Sequence, residues 1–130
     1  MLPVYVPIGE YSLSAVATVD AQAVARAYRE LHGVVEAAYR ALGYPGASLD
    51  RVTAKALHRL EMAPVVNGDL AVHGDRGLFE FADPRLEQLG EVEKHMLRLG
   101  PRNERLVQAK VREIERALDL PPAGAGPQKP

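Results

Sequence analysis

The chain has no cysteine, no tryptophan and only two phenylalanines. Without cysteine there can be no disulfides, thiolate metal sites or thiol nucleophiles, and nothing ties the chain to one redox compartment. With aromatics at 5%, a core has to be assembled from Leu, Val, Ala and Ile. No apolar run approaches the roughly 18 residues of a membrane span. The opening residues, Met1-Leu2-Pro3-Val4-Tyr5-Val6-Pro7, lack both the basic flank and the unbroken apolar block of a secretory leader. The expectation is a soluble chain without an address. Net charge is −1, so no global pull towards nucleic acid or an anionic membrane is expected.

What is present is ordinary for a globular protein. At 130 residues, 47% apolar and 25% charged, the default is one domain whose core needs no staple. Residues 1–19 carry the breakers Pro3, Pro7 and Gly9 and read as irregular, with Ser12 to Val19 either a short helix or a docking strand. Asp20 is a good N-cap. After it, Val24, Tyr28, Leu31, Val35, Ala38 and Leu42 recur at spacings of four and three, a continuous stripe on one helical face. Glu36 and Arg40 sit at the favourable i, i+4 spacing on the opposite side. Gly43 ends the helix and Pro45 blocks its return. Gly33 is a misfit that reads as a kink or a close helix contact.

A second helix is expected after Asp50, with Val52, Ala56, Leu57 and Leu60 inward and Pro64 closing it. From Val65 to Phe81 the helical period stops, and turn signals at Asn67-Gly68 and His73 to Gly77 separate short apolar pieces. A small hairpin and an ordered loop both fit. Asp83-Pro84 reopens helix as cap and first residue, with Leu86 and Leu89 on one short amphipathic turn. Glu91 to Leu99 forms another helix with Val92, Met96 and Leu99 inward. Gly100-Pro101 then stops it and starts the last helix, which runs to about Asp119 with Val107, Val111, Ile114 and Leu118 buried. Asn103 is placed to hydrogen-bond in its first turn. The tail, residues 120–130, is Pro, Gly and Ala with one Lys and is expected to be disordered.

Three segments match a known pattern in order: Ala38-Tyr39-Arg40-Ala41-Leu42-Gly43-Tyr44-Pro45, Phe79-Glu80-Phe81-Ala82-Asp83-Pro84-Arg85-Leu86-Glu87, and Lys94-His95-Met96-Leu97-Arg98-Leu99-Gly100-Pro101-Arg102-Asn103. Together they resemble the bacterial Domain of Unknown Function 3014 family, from about Asp20 to Leu118. In that family the domain typically follows a membrane anchor and a Pro-rich linker, so the resemblance implies a periplasmic or envelope-associated location; a cytoplasmic one is the alternative. Neither the anchor nor the linker is seen here, so a fragment or a short member is expected. Gly33 stands where the family often has proline, which supports a bend, and Gly90 where a capping Ser is common. The family has no established activity, so the resemblance implies no mechanism.

The search for chemistry mostly excludes. His32, His58, His73 and His95 are never paired at i, i+3 or i+4, so no helix offers a zinc pair and isolated histidines are the better reading. Asp69, Asp75, Glu80 and Asp83 lack calcium-loop register. Glu91/Glu93 and Glu113/Glu115 are two apart on helices and diverge. Ser12, Ser14 and Ser48 lack a nucleophile elbow, and no glycine run has the spacing of a phosphate loop. One pattern survives. Arg102, Arg105, Arg112 and Arg116 share a stripe on the last helix, with Arg98 just before it, and could grip an anionic partner. The plainer reading is a solvated face interleaved with Glu104, Glu113 and Glu115, without aromatics for stacking bases.

The sequence therefore points to an all-α fold: a compact bundle of about five helices with an irregular or small-hairpin excursion at 65–81, flanked by residues 1–19 and the tail. The favoured function is a non-catalytic helical interaction or scaffold domain of a bacterial envelope protein, with an unidentified protein partner, no cofactor and no metal. An anion- or nucleic-acid-binding module using the arginine stripe is the alternative, and an unrecognised hydrolase or metal enzyme the second. The wide apolar arc of the first long helix leaves room for a homodimer.

Overall fold

A computed structural model describes residues 13–44, 48–75 and 78–122. The expectations for residues 1–12, Pro45, the Arg76-Gly77 turn and 123–130 lie outside these. Among the described residues the chain is helical apart from one hairpin: a 3₁₀ turn at Ser14–Thr18, then α1 (Ala21–Ala41), α2 (Leu49–Glu61), β1 (Val72–Asp75), β2 (Leu78–Phe81), α3 (Pro84–Glu87), α4 (Glu91–Arg98) and α5 (Pro101–Leu118). The all-α expectation with a small hairpin holds. The chain divides into two compact units. One takes the described part of Met1–Ala17 with Ala63–Val107, the other Thr18–Met62 with the described part of Gln108–Pro130.

In the first unit, β1 and β2 pair antiparallel, with Val72 opposite Phe81 and Asp75 opposite Leu78. His73, Gly74 and Asp75, read as turn residues from the sequence, belong to β1. The hairpin is anchored rather than free-standing. The amide of Phe81 donates to Glu87 Oε2 at 2.7 Å, and Lys94 Nζ lies 3.2 Å from Glu87 Oε1. Asp83 Oδ1 accepts from the Arg85 amide at 2.9 Å and caps α3. Phe81, Met96 and Leu97 are buried as a small apolar core. Gly100 has φ +82°, the left-handed stop expected of it. Asn103 ties the joint together: its Nδ2 donates to the Leu99 carbonyl at 3.1 Å, and its Oδ1 accepts from the Leu13 amide at 3.0 Å.

In the second unit, Asp20 caps α1 by accepting from the Gln22 and Ala23 amides. The hydrogen-bonded helix runs through Gly33 without interruption and stops at Gly43, φ +95°. A Cβ at Gly33 would meet nothing within 4 Å, so the residue makes no close contact among the described residues. The second helix begins at Leu49, slightly earlier than expected, with Ser48 in the cap position but making no side-chain cap bond. The core is Ala25, Ala117 and Leu118, packed by Ala21, Tyr28, Leu57, Ile114 and Leu120. Lys110 is buried, yet its ammonium donates to the Val19 carbonyl and Glu113 Oε2, both at 2.6 Å, which satisfies a charge that burial would otherwise penalise.

Candidate functional site

Helix α1 presents its apolar face outward. At 100° per residue, Val24, Ala27, Leu31, Val34, Val35, Ala38 and Leu42 fall on one arc with no charged residue among them. Leu31 is 57% exposed, Val34 72%, Val35 43% and Leu42 75%, and Ala27 and Ala38 are exposed as well. The stripe chosen by periodicity as the buried face is therefore largely bare. The side that enters the core is rotated from it and carries Ala25 and Tyr28, with half-buried His32 beside them. In α2, Val52 and Ala56, expected inward, are exposed and Ala54 is buried, while Leu57 packs on the core as expected. Near the end of α1, Tyr39 and Tyr44 stack at 4.6 Å and 12°.

A polar seam holds α1 in this orientation. Tyr28 Oη donates to Asp50 Oδ1 at 2.7 Å and lies 3.2 Å from Thr53 Oγ1. His32 Nε2 is 2.9 Å from the same Asp50 oxygen, and His32 Nδ1 is 3.3 Å from Glu36 Oε2. Glu36 Oε1 then takes Arg40 at 3.3 Å. The Tyr28 and His32 rings meet edge to face. A neutral imidazole has one N–H and satisfies one of the two carboxylates; an imidazolium satisfies both. Burial raises the Tyr28 phenol pKa, and Asp50 beside it raises it further. The seam clasps α1 to α2. Sequence reasoning took Tyr28 as core and His32 as isolated. The missed signal is that Tyr28, His32 and Glu36 are successive i, i+4 neighbours, the spacing of one helical face.

Next to α2, a recess of about 690 Å³ is lined by Ala54, Leu57, His58, Glu115, Leu120 and Pro121, among others. Burial, followed by a hydrogen bond with Glu61, raises the Glu115 pKa. Glu115, expected on the solvated face, is half-buried. Among the described residues no three His, Asp or Glu side chains gather to hold a metal ion.

Glu104 is a second correction. It is 1% exposed, and its Oε1 has no hydrogen-bond partner among the described residues. Burial pushes its carboxyl up to about 7, opposed only by the neighbouring Arg105 charge. It lies seven residues before Val111, on the inward side of the same helix, but its charge reads as a surface position.

The five arginines separate into two groups. The Arg98 guanidinium lies over the Phe81 ring, 5.4 Å from its centroid, and Arg105 donates to Asn67 Oδ1. Arg102, Arg112 and Arg116 are exposed on the same arc of α5 as Arg105. Of the acidic residues expected between them, Glu104 is buried, Glu113 is exposed and bonded to Lys110, and Glu115 hydrogen-bonds with Glu61. Among the described residues no helix is long and apolar enough to cross a membrane.

A family model described as "Protein of unknown function (DUF3014)" matches residues 10–115. No curated protein and no solved structure matches the chain. The chain belongs to the DUF3014 family.

Proposed function

We propose that this member of the DUF3014 family is a non-catalytic helical interaction domain that takes a protein partner on the apolar face of α1. The carrying observation is the uncharged arc of Leu31, Val34, Val35 and Leu42 left bare on a well-capped helix. A contiguous apolar patch of this kind costs solubility unless something covers it. The polar groups that would be raw material for catalysis support the same reading: Tyr28, His32, Glu36 and Asp50 are spent on clasping α1 to α2. A photo-crosslinking residue at Val34 or Leu42, in a bacterium that encodes the protein, is expected to give discrete protein adducts. The exposed Gln88 position should give none. Absence of protein adducts at both face positions overturns the reading.

A second reading has its own observation. Arg102, Arg105, Arg112 and Arg116 are exposed along one arc of α5, with Glu113 at its edge and Glu104 buried, and that arc suits an anionic partner. Retention on heparin resin with steep salt dependence, lost in the Arg105→Glu/Arg112→Glu double variant, is the expected result. Retention unchanged in that variant would sink it.

A further inference from the structure

We infer that the partner on α1 is a second copy of this chain, its α1 lying antiparallel across the first. The inference rests on the interaction reading above and names the occupant. Its warrant is a self-complementary pattern on the exposed arc. In a two-fold pair each residue meets the one its own partner position dictates. Place the axis midway between Val34 and Val35. Leu31 then comes level with the second copy's Ala38, and Leu42 with the second copy's Ala27. Val34 faces the second copy's Val34, and Val35 the second copy's Val35, on either side of the axis. Large side chains thus meet small ones away from the axis, and medium ones meet at it, which is how helices interdigitate without voids. A parallel pairing would set Leu31 on Leu31 and Ala38 on Ala38, alternately crowding and emptying the seam.

Charge agrees with this register. The arc itself is uncharged. Glu30, on its rim, ends about 13 Å along the axis from its own copy, beyond the range of strong like-charge repulsion at physiological salt. Exposed Ala27 and Ala38 let the two backbones approach. The size is modest. An apolar strip along one 21-residue helix, doubled over two copies, falls in the small, transient class of interfaces, below about 1,200 Å². The expected dimer is therefore concentration-dependent, in the micromolar range.

The test uses the full 130-residue chain. Sedimentation equilibrium across low to several hundred micromolar should show a monomer–dimer equilibrium. Val34→Glu should weaken it at least tenfold without altering the circular dichroism or thermal midpoint, because Val34 is 72% exposed in the monomer. The absence of native cysteine makes single-cysteine probes clean. Val34→Cys should form a disulfide dimer on mild oxidation and Leu42→Cys should not. A mixture of Leu31→Cys and Ala38→Cys should form the mixed dimer. A chain that stays monomeric throughout overturns the inference, as does cross-linking of Leu42→Cys as fast as Val34→Cys. If the purified chain is monomeric but Val34 or Leu42 cross-links to another protein in cells, the self-pairing fails and the interaction reading stands. If neither occurs, both fail.

Discussion

Helices α1 and α5 are comparably amphipathic, yet their apolar faces meet different fates. In α5 the stripe is used as periodicity suggests: Val111 and Leu118 are buried, and Ile114 packs on the core. In α1 the stripe is turned outward, and a mixed face of Ala25 and Tyr28, with half-buried His32 beside them, goes in. The difference lies in what fixes each helix. Apolar contacts around Leu118 set α5 in the second unit, whereas hydrogen bonds from Tyr28 and His32 to Asp50 set the rotation of α1. An amphipathic pattern says that a face must be covered. It does not say by what.

The largest expected effect tests that contrast directly. Leu118→Ala should cost about 2–5 kcal/mol of unfolding free energy in urea titrations, while Leu42→Ala should change the stability of the dilute monomer by no more than about 0.5 kcal/mol. Equal losses would dissolve the comparison. The second effect concerns the polar group buried in α5. The Glu104 carboxyl ionises near pH 7 in the fold against 4.5 unfolded, so the folded state holds the proton more tightly. Its favourable contribution is complete below about pH 4.5, is lost as pH rises towards 7, and is level above that. The loss is about 3 kcal/mol. Glu104→Gln, neutral throughout, should remove that decline; denaturant midpoints from pH 4 to 8 for both proteins check it, and parallel curves would count against the buried carboxyl.

Smaller effects address the clasp and the helix itself. Tyr28→Phe leaves the ring but removes the bond to Asp50, and should cost about 1–2 kcal/mol. It should also speed amide exchange in α1 more than in α4, since only α1 depends on the seam; uniform acceleration would deny it that role. Gly33→Ala should stabilise by up to about 1 kcal/mol, because the added methyl meets nothing. A loss there would mean that Gly33 is covered in solution.

Much of the fold was legible because its signals are local. Asp20, Asp83, Gly43 and Gly100 cap or stop helices through their own backbone and nearest neighbours, so their roles do not depend on distant residues. Asn103 was legible for half of its role: the bond to Leu99 is local, but the bond to the Leu13 amide joins residues ninety positions apart. The candidate site was less legible. The apolar arc of α1 was evident, but its exposure was not. Glu104 and Glu115 read as surface because charge normally stays in water, and their burial depends on elements far away in the chain. Arg98 had no assigned role until Phe81 was found beneath it.

The sequence by itself determined the helices, their ends, the arcs on which apolar and charged residues fall, and the family. These follow from short-range sterics, capping and the 3.6-residue period. Only the tertiary structure decided which arc of α1 enters the core, that Tyr28, His32 and Asp50 meet, and that Glu104 is buried while Glu115 meets Glu61. Helix rotation is set by the sum of contacts from separate elements, and one turn of helix offers several faces with nearly equal local cost. Choosing among them takes long-range pairing, which the order of residues along one helix does not encode.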